Sequence, residues 1–87
     1  MPELHLPVTL LPLFPGLARE VDVDAVSVAD ALARLDERWP GLRDRLCEPG
    51  PVLRQHIRVF VDSRPAELDT PVAAGQRVDV LTAISGG

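Results

Sequence analysis

The sequence ends on Gly86 and Gly87, directly after the alternating run Val78-Asp79-Val80-Leu81-Thr82-Ala83-Ile84. Two glycines at a given pair of positions arise by chance about once in 200 chains at ordinary glycine usage. Their chemistry is specific. Without a Cβ, a diglycine runs extended through a channel too narrow for any other residue. Its backbone can come close to a bound nucleotide. The carboxylate of Gly87 is unhindered and can attack an α-phosphorus to give an acyl adenylate. That mixed anhydride then accepts sulfur or an amine. Such a carrier needs no catalytic side chain.

No other residue set offers a reaction centre. Cys47 is the only cysteine, so an internal disulfide and a cysteine-based zinc site are both excluded. It sits in a Pro/Gly-rich stretch and reads as an incidental thiol in a surface loop. His5 and His56 are far apart in sequence, without a cysteine partner, and read as exposed strand-end residues. Asp22, Asp24, Asp30 and Asp36 lack calcium-loop spacing. No metal site and no bound cofactor are expected. All nine basic residues are arginine, so no Schiff-base lysine, P-loop lysine or ε-amine acceptor exists here.

The elements that position the diglycine must come from 87 residues, 46% apolar and 25% charged, which is one small domain. A domain of this size buries only about 60–65% of its unfolded surface, so docking is favoured over a deep cofactor pocket. The net charge of −4 argues against nucleic acid and for partners with basic surfaces. Leu10 to Ala18 is broken by Pro12, Pro15 and Gly16 and follows no basic segment, so neither a signal peptide nor a membrane span is expected. A cytoplasmic location is the expectation.

Residues 4–11 predict a first strand, with Leu6, Val8 and Leu10 on one face and Pro7 weakening it. Residues 12–18 predict a loop, and 20–24 a short strand pairing with the first. The period then changes. Ser27 predicts an N-cap with Asp30 three residues on, and Val28, Leu32, Leu35 and Trp39 form one helical face. Pro40-Gly41 ends that helix. A short helix at 42–46 and a surface loop at 47–55 follow. The segment 56–62 is a strand with Ile57, Val59 and Val61 on one face and Arg58 and Phe60 on the other. Ser63-Arg64-Pro65 predicts a turn, 68–72 a loop with a buried Leu or Val, and 77–83 the last strand. The expected fold class is α+β. A mixed four- to five-stranded sheet carries one main helix on one face, with first and last strands as parallel central neighbours. The expected domain spans 1–84, with 85–87 a flexible diglycine tail.

Four segments carry a resemblance to a known family: Phe14-Pro-Gly-Leu-Ala-Arg-Glu20, Val28-Ala-Asp-Ala-Leu through Arg38-Trp-Pro-Gly-Leu42, His56-Ile-Arg-Val-Phe-Val-Asp62, and Leu68-Asp-Thr-Pro-Val-Ala-Ala-Gly75 to Gly87. The chain resembles the MoaD/ThiS-type ubiquitin-like sulfur carriers, which include the molybdopterin synthase small subunit. The resemblance implies a β-grasp fold and a thiocarboxylate on Gly87. It implies an E1-like adenylating enzyme using ATP, a persulfide sulfur donor and a downstream synthase large subunit as partners. It implies that Ile84 and Ser85, in the short stretch before Gly86, contact the partner. The Ser63-Arg-Pro-Ala-Glu67 connection departs from the Asn-Gly turn of many members. The length and the 42–56 insert resemble molybdopterin-type and cysteine-type carriers more than the shorter thiamine type.

Partner docking also follows from the strands themselves. If Ile57, Val59, Val61, Val78 and Val80 face the helix, Phe60 and Leu81 face away on adjacent strands, with Leu11 a third candidate. Two other functions fit the same chain. One is a protein modifier joined through Gly87 to lysines of other proteins. The other is a non-covalent β-grasp adaptor that does not use its tail. A stand-alone enzyme fits poorly, because no nucleophile–base pair or metal set is visible.

Overall fold

The computed structural model describes residues 1–82. The expected domain boundary at 84 and the tail beyond it lie outside the described residues. The first strand, β1 (Glu3–His5), is shorter than its apolar alternation predicts. Pro7 ends it. Proline has no N–H to give the ladder, and its carbonyl instead accepts from Leu10 N–H (3.1 Å), within a 3₁₀ turn over Val8–Leu13. The predicted apolar face therefore splits. Leu6 and Leu10 enter the core, while Val8 is turned out and is 53% exposed. The chain returns as β2 (Glu20–Asp22), antiparallel to β1 with Leu4 opposite Val21, as the sequence predicts.

Helix α1 (Val28–Arg38) begins where Ser27 places it. The Ser27 hydroxyl accepts from Asp30 N–H (3.0 Å), and the Asp30 carboxylate accepts from Val26 N–H (3.1 Å). An aspartate is a methylene shorter than the glutamate of a capping box, and here it reaches the residue before the cap. Val28, Ala31, Leu32 and Leu35 are buried along one stripe. Trp39 caps the C-terminus rather than extending the stripe; it is half-buried, and the Arg38 guanidinium lies 4.6 Å from its ring centre. Gly41 has φ +95°, a backbone that favours glycine. The Asp36 carboxylate accepts from both Gly41 and Arg43 N–H (3.1 Å each), joining α1 to α2 (Leu42–Leu46).

The predicted surface loop after α2 is instead a small hairpin, β3 (Cys47–Glu48) with β4 (Val52–Leu53). Cys47 is buried rather than exposed. Two-residue strands are too short to show a period, and so left no pattern to read. β5 (Ile57–Val61) matches its alternation, with Ile57, Val59 and Val61 buried. The turn that follows is Asp62-Ser63, both at positive φ (48° and 70°). That is the twist a two-residue hairpin requires. Arg64, Pro65 and Ala66, predicted as turn and connection, form β6, an edge strand against β5. Leu68 to Val72 is irregular, with Val72 buried as predicted.

The last strand, β7 (Arg77–Thr82), takes the middle of the sheet, whose order is β2-β1-β7-β5-β6. It is parallel to β1 and antiparallel to β5. This is the predicted β-grasp arrangement. Val78 and Val80 meet α1 in a single core with Leu4, Leu32, Leu35 and Val59. Among the described residues, no helix is long and apolar enough to cross a membrane.

Leu35 is fully buried, and Leu35→Ala is expected to cost about 2–5 kcal/mol. A fall in the urea midpoint with an unchanged m-value checks this. Ser63→Gly is expected to gain up to about 1 kcal/mol, because glycine adopts the φ of +70° without strain. A lower thermal midpoint for Ser63→Gly contradicts the turn geometry.

Candidate functional site

The alternation of β5 and β7 buries one side chain and exposes the next. The exposed members form the sheet face opposite α1. The strand registers arrange this face in rows. One row runs Pro65, Phe60, Asp79, His5, Glu20 across all five strands. A second runs Arg77, Glu3, Asp22, and a third pairs Arg58 with Leu81. Phe60 and Leu81 thus lie on the open face, on adjacent strands and one diagonal step apart. Phe60 is half-buried, and Leu81 is 49% exposed. Leu11, by contrast, packs against the core.

The other half of the face is polar. His5 lies between two carboxylates, with Nε2 2.6 Å from Glu3 and Nδ1 3.6 Å from Glu20. Its side chain is only 14% exposed, so it is a face residue rather than the exposed strand-end residue the sequence suggests. Arg77 Nε donates to Asp79 (2.9 Å). The Asp62 carboxylate accepts from Arg77 N–H (2.9 Å) and Gln76 Nε2 (3.1 Å), tying the β5–β6 turn to the start of β7. The sequence gives no role to the Asp62 carboxylate and places Val8 on the inward face of the first strand. A two-residue Asp-Ser turn before Arg64 was the available signal for the first. The N–H-free Pro7 was the signal for the second.

β7 leads towards Gly86 and Gly87 from the centre of this sheet. Because β1 is parallel to β7, the segment after His5 lies at the same end as Thr82. There a groove of about 290 Å³ runs beside Leu81, between Leu6, Pro7 and Arg19. Val8 and Leu13 are the exposed apolar residues of the 3₁₀ turn that follows Pro7. The predicted site residues Ile84, Ser85, Gly86 and Gly87 lie outside the described residues.

Cys47 is not part of this face. Burial pushes its thiol up, against the opposing pull of Arg43 and Arg54. Among the described residues, no group of three or more His, Cys, Asp or Glu is arranged to hold a metal.

The family described as the ThiS family matches residues 13–87. No curated protein matches the sequence. Solved structures do. Small archaeal modifier protein 1 (SAMP1) from Haloferax volcanii is 32% identical, with a TM-score of 0.74 over 99% of this chain and 98% of that one. The Amycolatopsis orientalis BexX/CysO complex contains a chain 23% identical, with a TM-score of 0.86 over the whole of both chains. Mycobacterium tuberculosis CysO is 21% identical, with a TM-score of 0.85 over 97% of this chain and all of that one. The two CysO likenesses establish the fold.

The raised Cys47 thiol sets a pH dependence. The folded state holds this proton more tightly than the unfolded chain does. The associated stability is complete below the ordinary thiol range and is lost as pH rises through the folded value. Cys47→Ala is expected to flatten the alkaline fall of the urea midpoint. The native thiol is also expected to react slowly with a disulfide reagent at neutral pH, and quickly once unfolded. Rapid native labelling contradicts this placement.

Proposed function

The chain belongs to the ThiS family, and from that premise we propose that Gly87 is the working end of a sulfur carrier. The protein is a ubiquitin-like carrier or modifier and is not itself a catalyst. In the proposed reaction, the Gly87 carboxylate attacks the α-phosphorus of ATP in an E1-like enzyme, and pyrophosphate leaves. The terminal sulfur of a persulfide donor then attacks the acyl carbon, and AMP leaves. A thiol cleaves the resulting acyl disulfide, freeing the thiocarboxylate. A downstream synthase large subunit takes the sulfur into a metabolite such as molybdopterin or cysteine. ATP belongs to the activating enzyme, and the exchange belongs in the cytoplasm.

One observation carries this reading: β7 is the central strand, paired with β1 through Asp79 and with β5 through Thr82, five residues before Gly87. Five residues reach at most about 17 Å when extended. A rigid body with a short stalk can deliver an acid group into another protein's active site without giving up core contacts. The open face of Phe60 and Leu81 supplies a docking surface beside the stalk, with Ile84 and Ser85 following the diglycine into the partner.

A second reading is a protein modifier joined through Gly87 to partner lysines. It is supported by the 32% identity to small archaeal modifier protein 1. It shares the activation step and differs in the acceptor.

Incubation with the activating enzyme, ATP and a sulfur source is expected to add the mass of an oxygen-to-sulfur exchange, localised to Gly87 by fragmentation. Deleting Gly87 is expected to abolish this product and leave the thermal midpoint unchanged. Undiminished loading of the truncated chain, or no loading by an enzyme shown to bind it, overturns the reading. Thiol-resistant conjugates in extract, lost with Gly87, select the modifier.

A further inference from the structure

The sheet has two edges, and they are finished differently. At β6 the side facing away from β5 presents Pro65. Val61 and Val59 pair with Arg64 and Ala66, so Pro65 is the residue turned outward, and it has no N–H. A proline at that place blunts the edge against any incoming strand. At β2 the pairing is bracketed by Leu6 N–H to Arg19 C=O (2.8 Å) and Val23 N–H to Pro2 C=O (3.1 Å). Antiparallel alternation then turns Val21 towards β1, and turns the N–H and C=O groups of Glu20 and Asp22 outward. Two donors and two acceptors are therefore presented in line on this edge.

The charges beside them select the partner. Glu20 and Asp22 are exposed on the open face, and Asp24 follows in the same stretch; Arg19 precedes them in the chain, and Arg34 and Arg38 of α1 line the groove beside Asp22 and Asp24. That groove, of about 370 Å³, continues the edge between Met1, Asp22, Asp24 and the α1 residues Arg34, Glu37 and Arg38, the last lying over the Trp39 ring. Arg34 is already paired with Asp30 (3.7 Å) and Glu37 (3.6 Å). A second copy of this chain fits badly. Twofold antiparallel pairing of β2 about Val21 sets Glu20 of one copy opposite Asp22 of the other, and like charges opposite one another are destabilising. Acidic side chains thus exclude a second copy while leaving every backbone group available.

We propose that the β2 edge is a strand-addition site for an extended partner segment with a basic residue at every second position. The incoming backbone bonds to Glu20 and Asp22, and its basic side chains lie across from their carboxylates. The site lies at the opposite edge of the sheet from Phe60, and it does not depend on Gly87.

The test uses the full chain and two short capped peptides, one alternating lysine with threonine and one alternating glutamate with threonine. Amide exchange is read by NMR. With the lysine peptide at nine-tenths occupancy, the Glu20 and Asp22 amides are expected to slow about tenfold. The glutamate peptide is expected to leave them unchanged. The double variant Glu20→Gln, Asp22→Asn is expected to bind the lysine peptide roughly fivefold more weakly. Asp22→Pro removes one outward donor without touching the β1 ladder and is expected to abolish protection at Glu20, its fold checked by the thermal midpoint. Absence of protection at millimolar lysine peptide overturns the proposal. So do equal protection by both peptides, shifts confined to Phe60 and Leu81, and concentration-dependent pairing of the protein with itself through β2.

Discussion

The structure depends on the burial of β7 between β1 and β5. The last strand of the chain is the middle strand of the sheet. Its two valines, Val78 and Val80, are almost fully enclosed between the neighbouring strands and α1. Parallel pairing with β1 brings together residues from opposite ends of the sequence, so the sheet cannot close until nearly the whole chain is in place. The same pairing fixes the direction of β7, and with it the end of the molecule from which residues 83–87 depart. A strand at an edge would fray. A strand in the centre is paired on both sides through Asp79, and with β5 as far as Thr82.

One helix covers one sheet face, and the remaining face has to meet water. This explains its mixed character. The β5–β6 side carries Phe60 and Pro65, and the β1–β2 side carries Glu3, His5 and Glu20. The carboxylates of Glu3 and Glu20 beside His5 face water, and such contacts contribute little to stability. Their value is in setting which surfaces this face can approach. The face thus sets an acidic margin on β1 and β2 beside the apolar Phe60 and Pro65 on β5 and β6.

Small residues at special backbone positions let so short a chain close. Asp62 does two things. It accepts the left-handed turn conformation, and its carboxylate holds the first residues of β7. Asp36 joins two helices by accepting from the backbone beyond Gly41. In a domain with a modest core, such bonds satisfy groups that loops otherwise leave to solvent.

The long periodic segments were legible from residue order alone. Ser27 and the stripe Val28, Leu32, Leu35 determined α1, while Trp39, read as the end of that stripe, became its C-cap. The alternation through Ile57–Val61 and Arg77–Thr82 determined two strands and which of their residues turn inward. Hydrophobic period and a capping side chain are local properties, so local reading recovers them. The diglycine is likewise a property of the sequence. Only the tertiary structure decided the rest. Pro7 diverted Val8 to the surface, because a missing N–H matters only once a ladder exists to lack it. Cys47 became buried because a two-residue hairpin folds over α2, too short to leave a period. Pro65 became an edge residue, and Glu20 and Asp22 the open edge, because which backbone groups remain unpaired depends on strand order. Strand order is set by contacts between distant parts of the chain, and no local pattern encodes it.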